Sequence, residues 1–216
     1  MAENVYLIRC APYEYILPGM DLYESFDAVA TGNYDPQIKP GFRMAVGDDI
    51  VDYTVLYAPD TRCKQTAKLI SENAQPLQQL REVGYNMSQV ISRFDFIGAD
   101  GHPNVQRARQ GFMDALVNNR LSENYRDVAE RAESLINYAA DVECRNVIMV
   151  SHAFFMKFVE VYLKDNGLLN DPHVLQRYFD TSHEAYGFCG GFKARTEYGI
   201  FRFDSYITQL GHQINL

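Results

Sequence analysis

Three short apolar runs along the chain lead directly into polar residues. They are Val5–Arg9 (VYLIR), Tyr53–Tyr57 (YTVLY) and Asn146–Val150 (NVIMV). A continuous apolar run of this length, rich in β-branched and aromatic residues, is typical of a strand buried on both faces. The runs therefore predict three strands of a buried, mostly parallel sheet.

Between and after these runs, apolar residues recur at helical spacing. In the segment before the third strand, Glu and Arg lie on the side opposite the apolar residues, as in a surface helix. Alternating strands and helices predict an α/β fold, here a three-layer α/β/α sandwich with a mostly parallel central sheet. The predicted helices are Thr61–Asn73, Tyr125–Ala140 and Phe154–Lys164.

Two long stretches interrupt the alternation of strands and helices. Ala11–Asp49 contains several Gly and Pro residues and predicts a loop with a helix at its end, and Gly84–Arg109 predicts an irregular excursion. Tyr186–Tyr206 has aromatic residues interleaved with glycine and predicts one or two late strands. We expect residues 1–216 to form a single domain, with loop or cap excursions at about 11–49 and 84–109.

The composition excludes several classes of protein. Hydrophobic residues make up 47% and charged residues 22%, as in a soluble protein with a substantial core. The net charge of −8 argues against a nucleic-acid partner, which requires a basic face. The sequence contains no stretch of about 18 consecutive apolar residues, so no membrane-spanning helix is predicted. The N-terminus does not resemble a secretory signal, so we expect a cytoplasmic protein.

The cysteines show no CxxC or other metal-ligand spacing. We expect them to be reduced thiols, and we expect neither a metal nor another cofactor. They are Cys10, Cys63, Cys144 and Cys189.

Polar residues follow each predicted strand at the point where it ends. The first strand leads into Arg9 and Cys10, the second is followed by Arg62 at the start of a helix, and the third leads into Ser151 and His152. Ligands of open α/β sheets bind at the carboxyl ends of the strands. Arginine recognises phosphate or carboxylate through paired donors, and a helix N-terminus adds backbone N–H groups. The pattern predicts an oxyanion site, with phosphate favoured.

Each of these residues also has an ordinary structural interpretation. An arginine at a strand end can be a solvated surface residue, a single histidine is often structural, and cysteine is among the most buried residue types. It is the joint placement at three strand ends that favours a functional site.

The same residues resemble the motifs of the histidine phosphatase superfamily, which has the phosphoglycerate mutase-like fold. VYLIRCA is similar to the family's strand ending in Arg-His-Gly, with Cys10 at the position of the histidine. LYAPDTRCKQTAKLI is similar to the strand followed by Arg and then Gln-Thr-Ala, and VIMVSHAFF to the strand ending in Ser-His-Gly. The tripeptide Leu80–Glu82 is similar to the family's Leu-x-Glu element. The blocks occur in order from residue 4 to about residue 163.

The resemblance implies a role for each matched residue. In the family, the first histidine attacks the phosphoryl group and forms a phosphohistidine. Arg9, Arg62 and His152 would hold the phosphate oxygens, and Glu82 would protonate the leaving group. Cys10 would stand at the position of the nucleophile. The alternative for Glu82 is a solvated surface carboxylate.

Cysteine at position 10 changes the expected chemistry. Arginines and a helix N-terminus would favour a thiolate, which can in principle accept a phosphoryl group. A sulfur sits directly on Cβ, however, whereas an imidazole reaches well beyond it. A misplacement on the order of 1 Å can cost about a hundredfold in rate. We therefore expect family-type phosphatase activity to be weak or lost.

A second motif competes with this assignment. Cys189–Thr196 fits the C-x5-R-[ST] pattern of cysteine-dependent phosphatases, whose loop must connect a strand to a helix. The residues that follow alternate and are rich in aromatics, which predicts a strand instead. The remaining histidines show no ligand spacing and are interpreted as loop or surface residues: His102, His173, His183 and His212.

The sequence leaves three functions open. The first is a histidine phosphatase-like protein that binds a phosphorylated small molecule or similar anion with weak or lost turnover. The second is an active phosphomonoesterase or phosphoryl-transfer enzyme that uses Cys10 or another route. The third is non-phosphoryl thiol chemistry at Cys10. The expected partner is a small anionic ligand, and association of identical chains is left open.

Overall fold

The computed structural model describes residues 2–14, 16–98, 101–165, 169–173, 176 and 186–208. The strands found within these ranges are β1 (Asn4–Arg9), β2 (Tyr53–Tyr57), β3 (Gln75–Pro76), β4 (Asn146–Ser151), β5 (Gly191–Glu197) and β6 (Ile200–Ile207). They form one mixed sheet in the order β3-β2-β4-β1-β5-β6. The first four strands in that order are parallel, and β5 and β6 are antiparallel to their neighbours.

The α-helices within the described ranges connect the strands and cover the sheet. They are α1 (Leu22–Ala30), α2 (Thr61–Ile70), α3 (Met87–Val90), α4 (Arg93–Phe96), α5 (Val105–Val117), α6 (Tyr125–Asp141) and α7 (Ala153–Lys164). In these ranges, no helix has both the length and the apolar character needed to cross a lipid bilayer.

Strand β4 is the centre of the core. It lies between β1 and β2, and all six of its residues are buried. Because successive side chains of a strand point to opposite faces, complete burial means that both faces of the sheet are covered. The three apolar runs of the sequence thus occupy the centre of the sheet, and the predicted α/β fold with a mostly parallel sheet is confirmed.

Strand β5 approaches β1 closely enough to require glycine at its first position. A Cβ atom on Gly191 would lie 1.9 Å from the carbonyl oxygen of Leu7, so no other residue fits without backbone movement. The tight pairing places the segment just before β5 beside the carboxyl end of β1, where Arg9 N donates to the carbonyl of Gly190 at 2.8 Å.

The first irregular stretch was wrongly predicted in one respect. A helix was expected at the end of Ala11–Asp49, but α1 lies in its middle. Asp21 caps α1 by accepting from the backbone N–H of Glu24, whose side chain accepts from Asp21 N in return. This reciprocal capping box fixes where the helix starts.

The second irregular stretch contains more helix than was predicted. Gly84–Arg109 holds the short helices α3 and α4 and the beginning of α5. Helix α5 packs closely on α3, because a Cβ atom on Gly111 would lie 2.0 Å from the carbonyl oxygen of Val90.

Helix α6 matches the predicted helix, but one of its charged residues is buried. Arg131 was placed with the other Glu and Arg residues on the polar side, yet it is only 9% exposed. Its guanidinium group donates to the Glu123 carboxylate through Nε and Nη2, and to two backbone carbonyls through Nη1. Local periodicity does not reveal such a partner.

Candidate functional site

The carboxyl ends of β1 and β4 meet at one edge of the sheet. Arg9 is in register with Ser151, and the backbone N–H of Cys10 continues the ladder by donating to the carbonyl of Ser151 at 3.1 Å. On the other side of β4, Ala58 N donates to the carbonyl of Val150 at 2.9 Å. The parallel pairing therefore carries all three strand ends to the same edge.

A cavity of about 640 Å³ opens at this edge. All five residues singled out in the sequence line it: Arg9, Cys10, Arg62, Glu82 and His152. The rest of its wall is mainly apolar and comes largely from the two irregular stretches, with Leu22, Phe26, Val29, Met87, Phe96 and Phe112 among the lining residues. A charged end and an apolar body are what a site for a small organic anion requires.

Arg62 lies in the first turn of α2 and points its guanidinium group into the site. Its side chain is 11% exposed, and its Nη2 lies 3.2 Å from Nδ1 of His152. Its Nε is buried and, among the described residues, has no hydrogen-bond acceptor. Buried polar groups normally have partners, so an unsatisfied N–H marks a position where a ligand oxygen would bind.

Asp60 both caps α2 and contacts His152. Its Oδ1 accepts from the backbone N–H of Cys63 at 3.0 Å and caps the helix, while its Oδ2 lies 2.6 Å from Nε2 of His152. Burial by itself would lower the pKa of His152, but the charge and hydrogen bond of Asp60 outweigh it and raise the pKa to about 9. The same pairing lowers the pKa of Asp60, against the effect of its own burial. The carboxylate of Asp60 therefore favours a proton on Nε2 of His152.

The Asp60–His152 pair predicts a specific pH dependence of stability. A histidine whose pKa is raised on folding stabilises the protein fully below its unfolded pKa of about 6.5, and this contribution is lost as pH rises through about 9. Asp60→Asn should remove this stabilisation. We expect the free energy of unfolding of the variant to be about 2–3 kcal/mol lower than that of the unmodified protein near pH 6, and we expect this difference to shrink above pH 9. Urea unfolding of both proteins across this pH range measures the difference.

Asp35→Asn is the matched control for that experiment. Asp35 also accepts a backbone N–H at the start of α2, from Thr61 at 2.6 Å. A pH dependence that changes equally in both variants would show that helix capping, and not the charge on His152, is responsible.

Arg9 is held by the segment that precedes β5. Its Nη1 donates to the carbonyl of Tyr186 at 2.9 Å, and its guanidinium carbon lies 4.2 Å from the ring centre of Phe188. Stacking on an aromatic face leaves the edge of the guanidinium directed toward the cavity that Arg9 lines.

Glu82 occupies the N-terminal end of α7. Its Oε1 accepts from the backbone N–H of Phe155 at 2.9 Å and its Oε2 from that of Phe154 at 3.3 Å. A carboxylate is favoured at a helix N-terminus by the exposed N–H groups and the helix dipole. Glu82 is thus partly buried and fixed in place at the wall of the cavity.

Cys10 is joined by a second thiol that the sequence did not single out. The metal-ligating atoms of Cys10, Cys63 and His152 all lie within 4.8 Å of one another, and all three residues are buried. The hydrogen bond from Cys63, together with His152 and Arg62, lowers the pKa of Cys10 well below its usual value, despite burial. Burial raises the pKa of Cys63, and the neighbouring Cys10 adds to the effect. The environment therefore makes Cys10 the more acidic of the two thiols.

This cluster contains donor types that zinc prefers, but both ring nitrogens of His152 already have partners. Nε2 lies 2.6 Å from Oδ2 of Asp60, and Nδ1 lies 3.2 Å from Nη2 of Arg62. A metal would need a deprotonated ring nitrogen and would lie beside a permanent guanidinium charge. Among the described residues, this is the cluster where histidine and cysteine side chains gather.

Three further residues of the site could not be ranked from the sequence. Asp60 and Cys63 flank Arg62 in the chain, but only the orientation of α2 brings them to His152. Lys157 also lines the cavity, five residues after His152 in sequence. The sequence gives the spacing of these residues from Arg62 and His152, but it does not give the direction in which their side chains point.

The competing cysteine motif does not form a phosphate-binding loop. Cys189–Thr196 leads into strand β5, as the aromatic pattern predicted, and Arg195 pairs with Asp204 at 3.0 Å on the neighbouring strand. His102 is exposed at the cavity wall and His173 is exposed on the surface. The predictions for His183 and His212 lie outside the described residues.

The sequence profile of the Histidine phosphatase superfamily (branch 1) matches residues 47–176. This range includes Arg62, Glu82 and His152, and it begins after Cys10. No curated protein sequence matches the chain.

Several solved structures share the fold at low sequence identity. The product of an open reading frame of Mycobacterium tuberculosis is 17% identical with a TM-score of 0.60, and the alignment covers 97% of this chain and 99% of that one. A histidine-to-alanine mutant of phosphoserine phosphatase from Entamoeba histolytica, in complex with phosphoserine, is 16% identical with a TM-score of 0.56, covering 95% and 96%. A phosphoglycerate mutase from Bacillus anthracis is 15% identical with a TM-score of 0.54, covering 96% and 93%.

Proposed function

The chain belongs to the histidine phosphatase superfamily, branch 1, and we propose that it binds a phosphorylated small molecule through Arg9, Arg62 and His152. In this proposal Cys10 stands at the position of the family's nucleophilic histidine. Phosphatase turnover by the family's route is weak or lost as a result.

The unsatisfied Nε of Arg62 is the observation that carries the proposal. It has no hydrogen-bond acceptor among the described residues, and Nη2 of the same guanidinium lies 3.2 Å from Nδ1 of His152. Positive charge and N–H donors concentrated at one end of a cavity favour an anion there. Arg9 adds a further positive charge to the same cavity. A phosphate offers several oxygens that accept from such donors in pairs.

The identity of residue 10 decides what happens to a bound phosphoryl group. Cys10 is only 2% exposed, so its sulfur lies in the floor of the cavity and does not project into it. A phosphate held by Arg62 and His152 at the family's position would be out of reach for in-line attack by this sulfur. Binding would persist in such an arrangement. The Entamoeba phosphoserine phosphatase was likewise captured with phosphoserine after a histidine had been replaced by alanine.

The apolar wall indicates which phosphorylated molecules to test first. Aromatic and aliphatic side chains surround the charged floor of a cavity of about 640 Å³, a volume far larger than inorganic phosphate. We therefore expect phosphate esters with a bulky aromatic or aliphatic group to bind more tightly than phosphate itself. Glu82 is positioned at the wall to approach the leaving oxygen of such an ester.

Phosphate binding should appear as thermal stabilisation that depends on Arg62. A ligand at ten times its Kd stabilises the folded state by about 1.4 kcal/mol, or roughly 3–5 °C in Tm for a chain of this size. We expect such a shift with phenyl phosphate, and none in Arg62→Ala. Differential scanning fluorimetry of the reduced protein measures both.

Arg195→Ala provides the matched control for that measurement. Arg195 is the arginine of the competing C-x5-R pattern, and it lies in β5 away from the cavity. Its variant should retain the full shift. Loss of the shift in Arg195→Ala together with its retention in Arg62→Ala would move the anion site away from the sheet edge proposed here.

An active phosphomonoesterase is the second candidate function. The lowered pKa of Cys10 favours it, because a thiolate is the nucleophilic form of cysteine. Turnover of p-nitrophenyl phosphate that disappears in Cys10→Ala would support this alternative over binding alone.

A further inference from the structure

Cys10 and Cys63 come from distant parts of the sequence and meet at the floor of the cavity. Their sulfurs lie within 4.8 Å of each other, and His152 lies within the same distance of both. Cys10 lines the cavity, whereas Cys63 is completely buried and does not. A small molecule in the cavity would therefore reach Cys10 first, with Cys63 directly behind it.

We propose that Cys10 and Cys63 form a dithiol that reacts with small peroxides and closes to a disulfide. The thiolate of Cys10 attacks one peroxide oxygen, the O–O bond breaks, and hydroxide leaves, so that Cys10 becomes a sulfenic acid. The Cys63 thiol then attacks the sulfenic sulfur, and water leaves as the S–S bond forms. Overall, two thiols and hydrogen peroxide give one disulfide and two waters. This reaction is independent of phosphate binding.

The backbone on both sides of the dithiol is fixed, so closure depends on the side chains. Cys10 N is bound to the carbonyl of Ser151, and Cys63 N is bound to Asp60. A disulfide requires sulfurs about 2.05 Å apart, so the gap to be closed from at most 4.8 Å is less than about 2.8 Å. Rotation about the Cα–Cβ bonds moves each sulfur over a distance of this size.

The surroundings assign different roles to the two sulfurs. The hydrogen bond from Cys63, together with the nearby His152 and Arg62 side chains, favours the thiolate of Cys10. Cys63 remains a thiol and contacts the carbonyl of Ser151 at 3.8 Å. The attacking and the resolving residue are therefore distinct, as a peroxide-driven disulfide requires.

The test uses the full-length protein, first reduced and then freed of metal with EDTA. Hydrogen peroxide is added, and remaining thiols are blocked with iodoacetamide. Before alkylation, we expect the intact mass to fall by about 2 Da for the two hydrogens lost in the disulfide. After alkylation, we expect two fewer alkylated cysteines than in the reduced sample. Trypsin separates the two residues, because Arg9 and Arg62 immediately precede them in the sequence. A cross-linked peptide pair identifies the bond.

Two single variants distinguish this bond from other oxidation. In Cys63→Ser the cross-link should be absent, and Cys10 should instead be labelled by dimedone as a sulfenic acid. Cys189→Ser should retain the Cys10–Cys63 cross-link. Cys189 is the informative control because it is buried near Cys10. Burial, with a smaller contribution from the charge of Cys10, raises the pKa of Cys189 to about 12. Circular dichroism confirms that each variant is folded.

Three results would overturn the proposal. The first is a cross-link between Cys10 and Cys189, and the second is a Cys10 thiol that peroxide leaves unmodified. The third is zinc binding without added EDTA that protects both thiols from peroxide, since the cluster would then be a metal site. Failure of phosphate esters to stabilise the protein would leave the dithiol intact, so the two proposals fail separately.

Discussion

Replacing Arg131 with methionine should lower the free energy of unfolding by about 3–5 kcal/mol. Arg131 binds the Glu123 carboxylate through two hydrogen bonds of 2.8 Å each, and the two side chains are only 8% and 9% exposed. Methionine would leave Glu123 buried without this partner. Removing one member of a buried ion pair is costly because the remaining charge stays desolvated.

Backbone groups would lose their partners in the same variant. Nη1 of Arg131 donates to the carbonyls of Gln79 and Arg81 at 2.9 and 2.7 Å. The guanidinium also stacks over the ring of Phe155, with its carbon 4.0 Å from the ring centre. The turn that Arg131 holds leads directly into Glu82, so the substitution should loosen the cavity wall as well as the core.

Arg126→Met is the control within the same helix. Arg126 is 85% exposed and forms an ion pair with Glu130 at 2.7 Å. Exposed pairs of this spacing contribute about 0.3–0.5 kcal/mol. Urea unfolding of both variants should therefore give a tenfold difference in the size of the effect. Equal losses would show that burial of the Arg131–Glu123 pair is not what determines its contribution.

A double variant separates the buried charge from the lost contacts. Arg131→Met combined with Glu123→Leu removes the buried carboxylate, which would otherwise retain only Arg81, 43% exposed, as an ion-pair partner. Buried ion pairs replaced by apolar residues are often tolerated. The double variant should therefore recover part of the stability lost in Arg131→Met. A double variant as unstable as the sum of the two single changes would contradict this reasoning.

The sequence predicted the centre of this fold better than its edges. Strands β1, β2 and β4 are continuous apolar runs, and complete burial is what such runs require, so their positions followed from composition alone. Helix α1 was misplaced because its partners come from a distant segment: Phe26 packs on Phe96 with ring centres 5.2 Å apart. The capping residues Asp21 and Glu24 were a local signal that could have located its start.

The site shows the same division between local and spatial information. The rule that ligands bind at strand ends singled out Arg9, Arg62 and His152, because parallel pairing brings those ends to one edge. Asp60 and Cys63 were missed because their roles depend on where the first turn of α2 points. Arg131 was assigned to the wrong side of α6, since its partner Glu123 lies outside the helix.

On the proposed function, Cys10→His should raise phosphomonoester turnover by about a hundredfold over the unmodified protein. The proposed phosphate-binding groups Arg9, Arg62 and His152 are already assembled around the cavity. In the proposed function, what Cys10 lacks is reach, since the residue lines the cavity but is only 2% exposed. An imidazole on the same Cβ extends farther toward a bound phosphoryl group and can accept it as a nucleophile.

Space at the cavity floor determines which variant to make. An imidazole is larger than a thiol, and the sulfur of Cys63 lies within 4.8 Å of that of Cys10. Inserting extra atoms into a packed site commonly costs about 1–3 kcal/mol. Cys63→Ala removes the neighbouring sulfur, so we expect Cys10→His with Cys63→Ala to be both more stable and more active than Cys10→His alone.

The measurement is the steady-state rate with p-nitrophenyl phosphate, together with the intact mass after mixing with substrate. A gain by the proposed route requires a phosphoryl adduct on the peptide that begins at residue 10, and it must disappear when His152→Ala is added. Cys10→Ala with Cys63→Ala controls for the enlarged cavity, because it keeps the anion-binding groups but has no side-chain nucleophile at position 10. If the histidine variant still gains thermal stability from phenyl phosphate yet turns over no faster than this control, reach is not what limits catalysis. Catalysis would then be limited by the proton donor, because both oxygens of Glu82 accept hydrogen bonds from backbone N–H groups at the start of α7.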